Sequence, residues 1–512
     1  MANVRNTVAY FKEESVVGTA VTPTSATDGF LSIEKPDITT GQREVLNSEL
    51  LSSGIGMRKG QLGVETAECS IVTELRSHGD ASNPTEPDFG LLLESGIGAP
   101  HISTAEAVQA APAPSTTEFG IATEGNIEKY DLMIIDNATD GRVARFVKQM
   151  KVDVVAATND KIDINEDAGG ELTATLTPGT YIHGGSSVTG SIGEQIKTQL
   201  EVVGAGTYTV IAEEQSDGSY IYSYSASGLT SLSYLIASGT NTATNFMKLN
   251  NGFGAVDLSG ALSYTAANAV WGNRVVCHVA MTSAPTAADV VSASVNYKPQ
   301  ASDHKHFTSG FYNGNSSTDG YFEQVIGCLV NSIETTIESG AIAKLNFGIQ
   351  GLSSDRIATT ASSYNPTYES VQGLVGFNVE AYMDSTQVCA QSFSVSLATE
   401  VSEKMTFCPA SGKSGSIIRS RGVTGTINPY SDGSVTYYDG LNANTDYQFA
   451  IIIGVKDSGG FIVGKTVGFF LPQININQDK TSDIDDSIIE DIAFSAHTGI
   501  NGNSTDFVAS FG

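Results

Sequence analysis

The segment 327–352, GCLVNSIETTIESGAIAKLNFGIQGL, contains the most regular pattern in the chain, two runs in which apolar and polar residues alternate. One set of alternate positions comprises Leu329, Asn331, Ile333, Thr335 and Ile337, followed on the return run by Ala343, Leu345, Phe347 and Ile349. The other set comprises Ser332, Glu334, Thr336, Lys344, Asn346 and Gln350. Successive side chains of a strand point to opposite faces, so the pattern predicts an antiparallel hairpin with one buried and one hydrated face. Its turn is expected at Glu338-Ser339-Gly340.

Similar alternation continues through most of residues 290–512. The clearest runs are AQSFSVSLATEV (390–401), GVTGTINPYSDGSVTYY (422–438), YQFAIIIGVKD (447–457) and GGFIVGKTVGFFLPQININ (459–477). The 512 residues include 53 glycines, and only 16% are charged, which favours strands joined by many turns. This part of the chain is therefore predicted to be an antiparallel β-structure.

The first part, 1–124, has less regular patterning. Residues 36–60 show no sustained period and are predicted to form an extended arm or long loop. VETAECSIVTELR (64–76) is predicted to be a strand, and PDFGLLLESGIG (87–98) a short helix with Asp88 as N-cap and Gly96 as its stop. AEAVQAAPAPSTTE (105–118) has the composition of a linker.

Residues 125–289 differ in texture and are predicted to be an inserted small α+β module. KIDINEDAGGELTATLTPGTYIHGG (161–185) reads as strand, turn, strand and a Pro-Gly turn. Val188, Ile192, Ile196 and Leu200 recur every fourth residue, which predicts one apolar helix face. GTYTVIAEE and GSYIYSYS then predict a hairpin about 216–218. The fold class is therefore mainly β (α+β), with boundaries at 1–124, 125–289 and 290–512.

The formal charge is −29, from 27 basic and 56 acidic side chains. A surface this acidic repels phosphates and disfavours ordinary nucleic-acid binding. It fits either simple solubility or a surface that must lie near DNA without adhering. The five cysteines (Cys69, Cys277, Cys328, Cys389 and Cys408) lack metal-ligand spacing and are predicted to be reduced and mostly buried. No signal peptide and no apolar run of membrane-spanning length is recognised.

One segment, GGFIVGKT (459–466), matches the phosphate-loop pattern. That site needs a helix beginning at the Lys-Thr pair, so that its N-terminus holds the phosphates. Here the flanking residues are apolar strand formers and Pro472 follows, so a hairpin turn at Asp457–Gly460 with Lys465 pointing outward is the favoured interpretation.

Four weaker motifs also receive structural interpretations. DNATDGRV (136–143) departs from a calcium loop at Ala138 and Val147 and predicts a turn. Asp303, His304 and His306 include a His-x-His pair without a clear third ligand. HGGSSVTG (183–190) predicts a turn before a helix, and the acids of 483–491 a hydrated edge, a divalent-ion patch or a channel wall. No catalytic, cofactor-binding or metal site is predicted.

Several segments together resemble the tail tube (major tail) proteins of long-tailed bacteriophages. They are VAYFKEESVVGTAVTP (8–23), VETAECSIVTEL (64–75), FGLLLESGIG (89–98), VIGCLVNSIETTIESGAIAKLNFGIQG (325–351), AQSFSVSLATEV (390–401), LPQININ (471–477) and IAFSAH (492–497). Their order along 1–124 and 290–512 carries the resemblance. LTATLTPGTYIHGGSSVTGSIGEQIKTQL (172–200) resembles small modules of several phage tail proteins, which implies an insertion displayed on the tail exterior.

The resemblance implies a structural virion protein rather than an enzyme, without cofactor. Its subunits are expected to form homo-oligomeric rings, commonly hexamers, that stack into a tube. An acidic channel would pass duplex DNA without specific binding, and Glu334 is a candidate for its wall. The expected partners are the tape measure, terminator and distal tail proteins, with no membrane partner, and the expected location is the virion tail after assembly in the bacterial cytoplasm.

Two other classes stay open at this stage. A β-rich surface adhesin or glycan-binding tail protein is also acidic and rich in Ser, Thr and Gly, although unpaired cysteines and the missing signal weigh against it. A tail-borne glycan hydrolase would need a paired-carboxylate cleft, which isolated acids in turns do not establish.

Overall fold

The computed structural model describes most of the chain. The described residues are 2–23, 28–46, 61–80, 84–123, 125–156, 160–167, 169–215, 219–234, 256–257, 263–265, 272–302, 304–315, 320–359, 366, 368, 371–407, 412–431, 436–484, 487–498 and 505–512. Within them the chain forms three helices and 32 strands, so the predicted mainly β class is confirmed.

The N-terminal elements are one short helix and seven strands. They are β1 Ala2–Glu13, β2 Gly29–Phe30, β3 Asp37–Leu46, β4 Gln61–Glu74, α1 Gly90–Gly96, β5 Pro100–Ile102, β6 Glu106–Gln109 and β7 Glu118–Ile121.

The middle elements are a helix and eleven strands. They are β8 Leu132–Asn137, β9 Gly141–Val154, β10 Lys161–Glu166, β11 Glu171–Thr175, β12 Gly179–Ile182, α2 Ile192–Val203, β13 Thr207–Glu214, β14 Tyr220–Ser227, β15 Leu232–Tyr234, β16 Val256–Asp257, β17 Ser263–Thr265 and β18 Arg274–Cys277.

The C-terminal elements include the longest strands. They are β19 Val290–Val291, β20 Val295–Tyr297, β21 Phe307–Asn315, β22 Gly320–Glu338, β23 Lys344–Gly351, β24 Ser353–Thr359, β25 Val379–Met383, β26 Thr386–Val388, β27 Ala390–Met405, β28 Lys413–Pro429, α3 Thr436–Ala443, β29 Asp446–Asp457, β30 Gly460–Ile484, β31 Ser487–Ala496 and β32 Val508–Phe511.

A barrel forms the centre of the molecule. Its neighbouring antiparallel strands run in the order β25, β29, β30, β31, β28, β27 and β22. The segment before β25 then meets the turn after β22, where Gly376 forms a bridge to Ser339. Beyond β22 the sheet continues through β23, β4 and β3.

The main core fills the inner side of this sheet. Phe393, Phe449 and Phe494 form an aromatic cluster there, with ring centroids 5.2 Å apart for the first pair and 5.9 Å for Phe449 and Phe494. Helix α1 contributes buried leucines to the same core. The α1 residue Ser95 anchors the helix to β22, because its hydroxyl accepts a hydrogen bond from the Val330 amide at 3.1 Å.

Strand β22 belongs to two parts of the sheet. Its first half pairs with β21 and β24, and its second half with β23 and β27. The change occurs near Gly327, whose φ of +69° lies in the left-handed region that favours glycine. The buried carboxylate of Glu14 holds this point, since it accepts hydrogen bonds from the Gly327 amide and the Thr308 hydroxyl, each at 2.7 Å.

A second layer lies against the barrel and is built from β8 and β9. Phe146 of β9 stacks on Phe470 of β30 with centroids 4.9 Å apart. Leu132 and Ile134 of β8 share this core with Ile452 of β29. On their other side, β8 and β9 form a further core with β6, β7, β18 and β19.

The α+β part has a core of its own. Ile192, Ile196 and Leu200 of α2 are buried against Tyr208 and Tyr222 of the β13–β14 hairpin and against β10 and β11. Ser191 is the N-cap of α2, and its hydroxyl accepts a hydrogen bond from the Glu194 amide at 3.0 Å.

The predicted hairpins are confirmed. In β22–β23 the alternate positions fall on the predicted faces except at Leu329, which a register shift between Val330 and Ser332 places opposite Gln350, while Val330 joins the core opposite Ile349. The β10–β11 and β13–β14 hairpins pair as expected. Residues 216–218 lie outside the described residues. Cys69, Cys277 and Cys328 are buried free thiols as predicted, whereas Cys389 is exposed and Cys408 is not described.

Four local predictions are corrected. Residues 37–46 of the predicted arm form β3, paired with β4, and 47–60 are not described. The N-cap of α1 is Phe89, because Asp88 instead forms an ion pair with Arg76 at 2.8 Å. The predicted linker 105–118 contains β6 and the first residue of β7. Val188 precedes α2 and is 41% exposed, so it is not part of the buried helix face.

Candidate functional site

The most distinctive surface is a continuous hydrated sheet face, here called the polar face. It lies opposite the main core and spans β4, β23, β22, β27, β28 and β31. Its residues are Glu68, Ser70, Val72, Glu74, Lys344, Asn346, Gln350, Ser332, Glu334, Thr336, Glu338, Ser392, Ser394, Ser396, Ala398, Glu400, Ser420, Gly422, Thr424, Thr426, Asn428, Asp491, Ala493 and Ser495.

Strand register brings these residues together. Glu334 of β22 lies opposite Asn346 on one side and Ser396 on the other. Ser396 lies opposite Thr424, and Thr424 opposite Ser495. The alternation that buries Ile333 and Val395 therefore also builds one uninterrupted outer face.

Side chains on the polar face bond across the strands. Ser394 and Thr426 are linked hydroxyl to hydroxyl at 2.7 Å, and the Ser420 hydroxyl donates to Glu400 at 2.8 Å. Ser392 donates to Asn428 at 2.7 Å, and the amide of Asn428 donates to Asp491. These pairs hold short side chains close to the sheet and leave a smooth, hydrogen-bonded surface.

The charge of the polar face is strongly one-sided. Six residues carry carboxylates: Glu68, Glu74, Glu334, Glu338, Glu400 and Asp491. Lys344 is the single cation among the residues that define the face. Glu334, Glu338 and Glu400 are exposed. A surface with this balance repels phosphates and holds water at its hydroxyls.

The phosphate-loop pattern at 459–466 does not form a nucleotide site. Asp457 pairs with Gly460 across the predicted hairpin turn, and β30 runs as a strand from Gly460 through Lys465 and beyond Pro472. Lys465 is exposed, and the Thr466 hydroxyl donates to the Ile462 carbonyl at 3.1 Å. No helix begins at this Lys-Thr pair.

The weaker motifs also take their structural interpretations. Asn137 closes the β8–β9 turn by accepting a hydrogen bond from the Thr139 amide at 2.9 Å. His306 contacts the Ser416 carbonyl at 3.2 Å, and Asp303 is not described. Residues 183–190 form the turn before α2. In the acidic hairpin β30–β31, Glu490 is buried rather than hydrated and accepts a hydrogen bond from Ser431 at 2.7 Å.

The structure contains one buried cluster of charged side chains that no sequence pattern predicts. His101 Nδ1 lies 2.9 Å from Asp131, and Lys298 Nζ lies 2.7 Å from Glu128 and 2.8 Å from Asp131. Burial acts to raise the pKa of Asp131, but the charges of Lys298 and His101 outweigh it and leave that pKa lowered. Burial acts to lower the pKa of His101, and Asp131 outweighs it in turn, so that pKa is raised.

This cluster is the one set of three potential metal ligands in the part of the chain that the structure describes. Its carboxylates already contact the ammonium group of Lys298, which stands where a cation would bind. The cluster is therefore best understood as a structural ion network. No sequence signal joins residues as distant as His101 and Lys298, so spacing arguments could not have found it.

The comparison with protein families agrees with this geometry. The family model for the phage tail tube protein matches residues 5–496. The chain belongs to the phage tail tube protein family. No curated protein matches it.

Membership makes this tail tube protein a structural component of the virion tail that oligomerises into a tube with other tail proteins. The family is a structural one and not a class of enzymes. None of the helices in the described ranges is long and apolar enough to cross a membrane.

Proposed function

We propose that copies of this chain form rings, commonly hexamers, that stack into the tail tube, and that the polar face lines the channel. The observation that carries the proposal is the continuity of that face across six strands, with six carboxylates and one lysine. DNA moving past it meets like charge and short hydrogen-bonded side chains, so its phosphates find few groups to hold them.

Strand edges with a partner on one side only support an assembly of this kind. Long strands such as β3 and the outer part of β27 have a sheet partner on one side only among the described pairings. Strand edges of this length promote pairing with another chain unless they are covered. In a closed ring, each of these edges would pair with a strand of the neighbouring copy.

The remaining partners follow from a tail tube role. They are the tape measure, terminator and distal tail proteins. Duplex DNA passes without specific binding, and assembly takes place in the host cytoplasm. The chain carries out no reaction and needs no cofactor in this role.

The division of the sequence into 1–124, 125–289 and 290–512 is also part of the proposal, and within the middle range we place the separately packed insertion at 154–271. The α+β core around α2 is separate from the barrel core, which supports an insertion in the tube fold. We place this insertion on the outside of the tube, where it does not narrow the channel.

Electron microscopy of the purified full chain tests the assembly. Rings or hollow tubes are expected in negative stain, and a cryo-electron reconstruction should place Glu334, Glu338 and Glu400 on the bore. A reconstruction in which these residues face the outer surface would overturn the channel assignment. A protein that stays monomeric in every assembly condition and binds glycans would support the adhesin class.

A further inference from the structure

Two hairpin ends project from opposite ends of the barrel sheet. Ile427 of β28 pairs with Ile492 of β31, and the position of each hairpin end along the sheet is measured from this pair. Rising residue numbers along β28 lead towards the β30–β31 end, where Ile484 pairs with Ser487. Falling numbers lead to the β27–β28 end, where Lys413 pairs with Met405. Nineteen residues of strand separate the ends, roughly 60 Å at 3.3 Å per residue.

The β27–β28 end is basic and apolar. Residues 401–421 contain four basic side chains and one acid, a formal charge of +3 in a chain of −29. Lys404 and Arg419 are exposed. Phe407 is fully exposed, and Met405 and Ile417 are 61% and 66% exposed. Such apolar side chains in water are a feature of interaction surfaces.

The β30–β31 end is acidic and also apolar. Residues 478–491 contain six acids and one lysine, a formal charge of −5. Asp483 is exposed and Asp479 is half-buried. Asp483 pairs with Ile488, which is 55% exposed, whereas Asp479 lies farther from the end, opposite Ile492. Tyr430 is 51% exposed and is joined to this hairpin by a bridge to Ile489.

We propose that the basic β27–β28 end of one copy docks on the acidic β30–β31 end of the next copy along the tube. The occupant of each surface is thus a second copy of this chain. Charge complementarity sets the pairing, and exposed Phe407 packs on the apolar side chains of the acidic end. Unlike surfaces that join head to tail, without closing on themselves, generate an open polymer with a direction. This inference rests on the proposed tube function, since it assigns the contact between stacked rings.

Charge-reversed variants of the full chain test the pairing. Lys404→Glu with Arg419→Glu changes the formal charge of the β27–β28 end from +3 to −1, and Asp479→Lys with Asp483→Lys changes that of the β30–β31 end from −5 to −1. Each double variant should stack with itself less readily than the wild type, and the critical concentration for tubes should rise by at least about ten-fold, which corresponds to ~1.4 kcal/mol per contact. An equimolar mixture should form tubes more readily than either variant alone, because in an alternating stack the reversed side chains of one variant meet reversed side chains of opposite sign, and the other contact joins two unchanged ends.

The matched control reverses two exposed acids of the α+β part, Glu171→Lys with Glu213→Lys, and should assemble like the wild type. Negative-stain tube length and light scattering provide the measurements, with sodium chloride varied because screening weakens such contacts. Wild-type stacking in either double variant, or no rescue on mixing, would overturn the proposed contact. If the wild type forms no rings or tubes at all, the proposed function itself fails.

Discussion

At the scale of single residues, ion pairs within the cluster of His101, Glu128, Asp131 and Lys298 stabilise charges that are buried in the fold. Lys298→Met removes the ammonium that contacts both carboxylates. The variant should lose about 3–5 kcal/mol of unfolding free energy, since the two buried carboxylates then share His101 as their one positive partner in the cluster. Urea unfolding measures the loss. Lys305→Met removes an exposed partner of Glu13 and should cost less than about 1 kcal/mol; equal losses in the two variants would contradict the network.

At the same scale, the buried side chain of His278 should make the free energy of unfolding depend on pH. Burial, followed by the charge of Arg145, lowers the pKa of His278 to about 3. An unfolded histidine titrates near about 6.5, so between these values the unfolded chain binds a proton that the folded chain does not. The free energy of unfolding should therefore fall as the pH falls from about 6.5 towards 3.

His278→Asn measures that contribution. The Phe146 amide donates to His278 Nδ1 at 3.0 Å, and the Asn side-chain oxygen can accept in its place without titrating. The difference in unfolding free energy between wild type and variant should change by up to about 1.4 kcal/mol per pH unit below pH 6.5. A difference that stays constant from pH 4 to 7 contradicts the assignment.

At the scale of elements, Gly327 allows β22 to leave one part of the sheet for another. A Cβ added there would lie 2.6 Å from Leu352, at a φ of +69°. Gly327→Ala should cost about 1–3 kcal/mol, because both backbone strain and a side-chain clash oppose it. Gly422→Ala is the control, since its Cβ would meet no atom within 4 Å. Thermal unfolding compares them, and similar melting temperatures would argue against this role of Gly327.

Elements with local pairing could be predicted from the sequence, and those with irregular register could not. The β22–β23 hairpin follows from its alternation and its Glu-Ser-Gly turn, except at its open end, where a register shift between Val330 and Ser332 moves Leu329 from the predicted face. Strand β3 was missed because its register with β4 shifts twice, between Thr39 and Gln42 and between Arg43 and Val45, which erases the period of two.

The same distinction applies to the polar face. The alternation predicts that Glu334 and Thr336 are hydrated. It does not predict that Glu334 lies beside Ser396, or that Thr424 lies beside Ser495, because those strands are distant in sequence and their register is fixed by packing of the shared core.

At the scale of the whole molecule, the described residues form several hydrophobic cores, and the middle range 125–289 contributes to more than one of them. Residues 125–289 read as one module, yet Leu132, Ile134 and Phe146 pack on the barrel residues Ile452 and Phe470. The pattern of a strand shows that it is buried but not against which partner. The α+β core around α2 is the part that contacts mainly itself.

A deletion within the module distinguishes these cores. Lys151 and Asp153 lie beside Asn273 across the β9–β18 pair: the Asn273 amide donates to the Lys151 carbonyl at 3.1 Å, and the Asp153 amide donates to the Asn273 side chain at 2.8 Å. Asp153 and Gly272 are therefore close enough for a two-residue Asn-Gly turn to replace 154–271. This variant should keep the barrel, with a melting temperature within about 5 °C of the wild type, and should still form tubes.

Removal of the whole range 125–289 should have the opposite result, because it takes Leu132, Ile134 and Phe146 from the second layer and leaves Ile452 and Phe470 uncovered. Loss of several large buried side chains costs about 3–5 kcal/mol each, more than a marginally stable fold tolerates. We expect aggregation of this variant, measured by size-exclusion chromatography and circular dichroism beside the shorter deletion. A folded long deletion, or an unfolded short one, would mean that the boundary between barrel and insertion lies elsewhere than at Asp153 and Gly272.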